Sequence, residues 1–163
     1  MRVPRRAFRA LGRALAVLAL GAVGASLTAL AAAGASLPAE HFPLVPVGGE
    51  PLATGFVEVI HPDGPQVYAR HVYQLNGAEQ NQSYQVVISI WTSNVTCSDT
   101  PALEIPAAVV VTNTSGNGHA DVVHTPEMVD GLGIRGLTIG GKITLFSGES
   151  PAYTTGCQAI QLD

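Results

Sequence analysis

From residue 54 onward, apolar residues alternate with polar ones along this chain. Successive side chains of a β-strand point to opposite faces, so a period near two marks a half-buried strand, where a helix would repeat every 3.6 residues. Over residues 66–75, Val67, Ala69, His71, Tyr73 and Leu75 fall on one face. Over 83–92, Tyr84, Val86, Ile88 and Ile90 do the same. The pattern predicts further strands at 54–61, 106–113, 118–124, 137–147 and 153–162; the second of these carries the β-branched run Val109-Val110-Val111.

The breaks between these runs are rich in turn formers. Pro62-Asp63-Gly64-Pro65 stops the first strand. Asn76-Gly77 opens a polar turn that runs to Gln82, which predicts a hairpin between 66–75 and 83–92. Thr114-Ser115-Gly116-Asn117 predicts that 118–124 pairs back on 106–113. A single helical turn is expected at 125–130, with Thr125 as its cap, Pro126 in its first turn and Gly131 at its end. No amphipathic helix of about ten or more residues follows the N-terminal stretch, which disfavours α/β folds with crossover helices. The expected architecture is all-β: an antiparallel β-sandwich of about seven strands, immunoglobulin-like in shape.

The first 35 residues follow a different rule. Arg2, Arg5, Arg6, Arg9 and Arg13 precede an Ala/Leu/Gly/Val run broken only by Ser26 and Thr28, and no acid occurs before Glu40. A basic start, an apolar middle and small residues at a cleavage point are the parts of an export signal. Ala33-Gly34-Ala35 before Ser36 fits the cut, and Ala31-Ala32-Ala33 is a near alternative. An uncleaved anchor is the competing reading, but Ala and Gly partition weakly into hydrocarbon. No Cys follows the run, which argues against a lipoprotein anchor. Arg5-Arg6-Ala7-Phe8 resembles the twin-arginine export signature. The expected division is a signal peptide at 1–35, a Pro/Gly-rich extended linker at 36–55 and the sandwich at 56–163. The destination is the periplasm, the cell surface or the medium.

Removing the signal inverts the charge. Of eight cations only Arg70, Arg135 and Lys142 remain against all twelve acids; three minus twelve leaves −9. Such a chain repels phosphate, so neither nucleic acid nor, after cleavage, a membrane is an expected partner. Export also takes Cys97 and Cys157 to an oxidising compartment, where an even pair is most simply a disulfide.

Candidate chemistry is sparse. Gly131-Leu132-Gly133-Ile134-Arg135-Gly136 matches the dinucleotide fingerprint letter for letter, but it precedes a strand where it should follow one and open a helix. The Asn113–Gly118 run with Asp121 imitates a calcium loop, yet position twelve is His124 and only one carboxylate is present. The densest metal-type cluster is His119, Asp121 and His124, with His71 as a fourth ligand from a neighbouring strand; copper or zinc would suit it. In a strand His119 and Asp121 share a face and His124 takes the other. There is no nucleophile elbow, and Lys142 is the only lysine. Asp99 with Glu104, or Glu127 with Asp130, are the nearest carboxylate pairs for a hydrolase. Tyr68, Tyr73, Tyr84 and Trp91 either pack a core or form a platform for carbohydrate. The sequence therefore points to a non-catalytic, cofactor-free extracellular binding or structural module for a protein or carbohydrate. A copper- or zinc-binding protein is the second reading and a secreted hydrolase the third.

Overall fold

The structure, a computed structural model, describes residues 39–60 and 69–162. The signal segment, its twin-arginine motif, His61, Val67 and Tyr68 lie outside the described residues. Ten strands and one short helix follow in order: β1 Ala39–Pro43, β2 Val45–Pro46, β3 Thr54–Ile60, β4 Ala69–Asn76, β5 Ser83–Trp91, β6 Leu103–Val111, β7 Gly118–His124, α1 Pro126–Leu132, β8 Thr138–Ser147, β9 Ser150–Thr154 and β10 Gln158–Gln161. They form two antiparallel sheets, one ordered β1-β3-β4-β7 and the other β2-β9-β8-β5-β6, with β10 also pairing with β8. The all-β sandwich read from the period-two pattern is the architecture observed.

The alternation predicted for the inner faces is realised. In β4, Ala69, Tyr73 and Leu75 are buried, and in β5 Tyr84, Val86 and Ile90 are. Register aligns these positions across each sheet: Val57 opposes Tyr73, which opposes Ala120, while Val86 opposes Leu145. Between the sheets the core is filled by Tyr73, Tyr84 and Tyr153, all fully buried, together with Leu75, Leu145 and Val110. A second cluster, Ile90, Val129, Ile134, Ile139 and Leu162, packs beneath α1. Apolar area removed from water, worth roughly 25 cal/mol per Å2, is what holds the sheets face to face.

Both predicted hairpins are corrected. β4 pairs with β3 and β7, whereas β5 pairs with β6 and β8 in the other sheet. The chain thus crosses between sheets at 77–82. It crosses again at 112–117, where only the bridge Thr112↔Gly118 joins the flanks of β6 and β7. The two crossings lie side by side and bond to each other. Gln82 and Thr112 exchange bonds: the Thr112 amide donates to the Gln82 carbonyl (2.9 Å) and the Gln82 amide donates to Thr112 Oγ1 (2.9 Å). Thr112 Oγ1 in turn donates to the Glu79 carbonyl at 2.6 Å. The Ala78 amide donates to the Gly116 carbonyl at 3.0 Å.

The strand count also exceeds the expected one. The Pro/Gly-spaced stretch at 36–55 contributes β1 and β2, which edge opposite sheets, and Leu44 between them is buried in the core. Prolines are tolerated there because an edge strand needs donors on one side only. The predicted run 153–162 is split into β9 and β10 by residues 155–157. Both halves pair with β8: Thr154 opposes Thr144 and Gln158 opposes Gly141. Cys157 sits in that interruption and is bonded to Cys97 of the β5–β6 loop, with a Cα–Cα distance of 5.9 Å. The helix runs past Gly131 to a left-handed cap at Gly133.

Two stability predictions follow from these ties. At Gly116 φ is +72°, and a Cβ there would stand 2.1 Å from the Ala78 carbonyl oxygen. Gly116→Ala should cost about 1–3 kcal/mol or more, read as a lowered denaturant midpoint with unchanged slope. Gly49→Ala is the control, since φ is +88° but no atom of the described residues lies within 4 Å, and it should cost less. The disulfide spans 60 residues, so Cys97→Ser with Cys157→Ser should lower stability by about 4 kcal/mol on the chain-entropy estimate.

Candidate functional site

The inner surfaces do not meet everywhere. At the end of the sandwich bounded by α1 and β10, a cavity of about 110 Å3 remains between the sheets. Its wall is almost wholly aliphatic: Val59 and Ala69 from one sheet, Ile88 and Ile143 from the other, and Val129 and Leu132 from α1. Met128, half-exposed, and Glu40 of β1 also border it.

Two imidazoles interrupt this wall. His71 in β4 and His124 at the end of β7 both face inward, because His71 opposes Val122 and His124 opposes Ala69 across the sheet. Their ring centroids are 4.4 Å apart in an edge-on arrangement. His71 Nδ1 lies 3.2 Å from the Tyr73 hydroxyl. His124 is only 7 % exposed, and among the described residues its buried Nε2 has no hydrogen-bond partner. Burial lowers the His124 pKa from its ordinary 6.5, so the ring is held neutral. Burial also raises the Tyr73 pKa, keeping that hydroxyl protonated.

The sheet plane divides the four residues considered as metal ligands. His71 and His124 are inside. His119 and Asp121 project from the outer face of the same sheet, as the strand period requires. There Asp121 is engaged by Arg70, whose Nε donates to Oδ1 at 2.9 Å, and that bond holds the Asp121 pKa down. His119 Nδ1 lies 3.3 Å from Gln74 Oε1. Among the described residues no group of three or more His, Cys, Asp and Glu is placed to hold a metal ion.

Local roles absorb the other candidate motifs. Asn113 Oδ1 accepts the amides of Ser115 (2.8 Å) and Asn117 (3.1 Å), the self-bonding of a turn. The G-x-G-x-x-G run is the end of α1 and the bend into β8, with Ile134 buried in the core. Glu127 bonds its own backbone amide and Thr125, which lowers its pKa, and Asp130 is paired with Arg135. The Asp121 and Glu127 carboxyls are both held below their ordinary pKa, the direction opposite to that a general acid needs. Tyr73 and Tyr84 are fully buried and Trp91 nearly so, its Nε1 donating to the Asp99 carbonyl at 2.7 Å. They build the interior and present no surface platform.

Sequence reasoning missed the cavity itself. Its signal was present but weak: Ala69 stands at an inward position where the other β4 residues are larger, and Met128, Val129 and Leu132 are apolar within a segment read only as a turn. Comparison of the chain with protein-family models, with curated proteins and with solved structures finds no match.

Because His124 stays neutral in the fold but titrates near 6.5 when unfolded, the unfolded chain binds the extra proton first as pH falls. Stability should be level above about pH 6.5 and should decline below it. The His71 ring, 4.4 Å away, and Glu40 and Lys142 on the same wall are the titratable groups around it. In His124→Phe the loss of melting temperature between pH 7.5 and 5.5 should be smaller than in the native protein. An equal loss in both would show that His124 does not titrate as described.

Proposed function

We propose that this chain is an exported β-sandwich domain that binds a small, mainly apolar molecule between its sheets and catalyses no reaction on it. The single observation that carries this reading is the aliphatic cavity of about 110 Å3. Apolar cavities of this order stay dry and take up molecules the size of benzene. A close-packed interior leaves few such voids, so one at the covered end of a sandwich calls for an occupant.

Export is supported by the basic-then-apolar N-terminal sequence and by the disulfide, a bond characteristic of oxidising compartments. Among the described residues no helix is long and apolar enough to cross a membrane. The immunoglobulin-like reading is supported by strand order. With β3, β4 and β7 as strands A, B and E, and β9, β8, β5 and β6 as G, F, C and C′, the neighbours are those of that sandwich. The rigid frame would then serve to hold the binding end in shape.

The test is a thermal melt of the protein with and without toluene. At a toluene concentration about ten times Kd the melting temperature should rise by a few degrees. Val129→Phe, which fills the cavity with carbon, should melt no lower than the native protein in buffer and should lose the toluene shift. A native protein indifferent to toluene, or a filled variant that still responds, would refute the reading.

A further inference from the structure

The cavity reaches solvent beside a charge. Of the described residues that border it, only Glu40 and Met128 are exposed; the rest are buried or half-buried. Glu40 stands on the inner face of β1. It opposes Val59, which is buried between the sheets, while its neighbour His41 stacks on Phe56 of the outer face with ring centroids 4.3 Å apart. Among the described residues the Glu40 carboxylate takes part in no ion pair: Arg70 is held by Asp121 and Arg135 by Asp130. Lys142 is the other Lys, Arg, Asp or Glu on this wall. It precedes Ile143 of the core in β8, so its side chain leaves from the outer face, where it borders a separate groove with Ser89 and Thr144. The open side of an otherwise aliphatic space is therefore marked by a single negative charge.

Resting on the apolar-ligand reading above, we propose that the ligand of this cavity is a small cationic amphiphile, a compact hydrocarbon body carrying an amine, and that Glu40 receives its ammonium where the cavity meets solvent. The hydrocarbon body fills the aliphatic space. The ammonium stays at the exposed side, so neither charge is stripped of its water, the step that makes buried ion pairs costly. Met128, the other exposed residue on the wall, offers a thioether, which is only a weak acceptor. A carboxylate or phosphate on the same body would be repelled by Glu40. It would also be repelled by the chain freed of its signal, which has three cations against twelve acids. A neutral polar end would gain no more than an ordinary hydrogen bond in competition with water. Small aliphatic and arylalkyl amines are the class that fits. Glu40 is a specificity-determining residue in this scheme, and the aliphatic wall provides the remainder of the affinity.

Benzylamine and benzyl alcohol share one body and differ at the tip, ammonium against hydroxyl at pH 7.5. Titration calorimetry of both compounds on the native protein and on Glu40→Gln gives one affinity ratio for each protein. Losing an ion pair at an exposed site should lower the amine-to-alcohol ratio about threefold or more in Glu40→Gln, with the alcohol affinity hardly changed. Glu40→Asp keeps the charge and should keep most of the ratio, which excludes a packing effect. In the native protein the ratio should also fall toward the Glu40→Gln value as salt rises from about 0.01 M to about 1 M, where the screening length drops from about 30 Å to about 3 Å. With the alcohol still bound, a ratio that changes less than about twofold in Glu40→Gln, or a native ratio indifferent to salt, overturns the role of Glu40. The apolar pocket then stands, and Glu40 is left as an inward charge that guards the edge strand β1 against other chains. Failure of both compounds to bind the native protein removes the pocket and this inference together.

Discussion

The gap between the two sheets is the constraint on which this fold depends. Sheets packed face to face stand about 10 Å apart, and the side chains pointing inward must fill that space. The largest side chains that fill it are three fully buried tyrosines, Tyr73, Tyr84 and Tyr153. Tyr84 and Tyr153 face each other with ring centroids 5.2 Å apart and hydroxyls at 3.3 Å. Tyr153 also donates to the Pro51 carbonyl at 2.8 Å, so the polar tips remain paired inside an apolar interior. Tyr73 extends the layer from the opposite sheet. Toward α1 the inward residues become shorter: Ala69, Val59 and Val129. They do not close the same spacing, and the cavity is what is left.

Joining two sheets also requires crossings, and these have their own chemistry. A segment that leaves one sheet for the other exposes backbone groups that no ladder pairs. Here the two crossings satisfy each other. Thr112 Oγ1 accepts from one residue of the neighbouring loop and donates to another, while Gly116 brings its backbone against Ala78 with no Cβ between them. Elsewhere the Cys97–Cys157 bond fastens the β5–β6 loop to the break between β9 and β10, beside Gly141 and Gln158 of the cavity wall. Crossings and disulfide thus fix the frame at different places.

Much of this was legible in the residues themselves. The inward sets Ala69-His71-Tyr73-Leu75 and Tyr84-Val86-Ile88-Ile90 follow from alternation alone, because a strand offers its side chains no third direction. The helical turn after Thr125 and the pairing of the two cysteines were legible for equally local reasons. Strand partners were not. Asn76-Gly77 and Thr114–Asn117 have the composition of hairpin turns, and the same residues also suit a crossing, since both need positive φ and compact polar side chains. Which one forms is decided by burying four apolar strand faces at once, a property no single turn encodes. Pro43 and Pro46 misled for a similar reason. Proline opposes a central strand but not an edge, and position within a sheet is a tertiary fact.

The candidate site shows the same division between local and tertiary information. His119, Asp121 and His124 are close in sequence, and that proximity suggested a shared metal. One residue of offset along β7 is enough to separate them, because the sheet plane lies between adjacent side chains. On the outer face Asp121 meets Arg70 in a solvated pair of modest worth. On the inner face His124 meets hydrocarbon and His71, and the same side-chain type becomes neutral, its Nε2 without a hydrogen-bond partner among the described residues. The chemistry available to each histidine was therefore set by the face it occupies. That face was fixed when the chain committed Val122 and Ala120 to the core, which carried His124 inward with them.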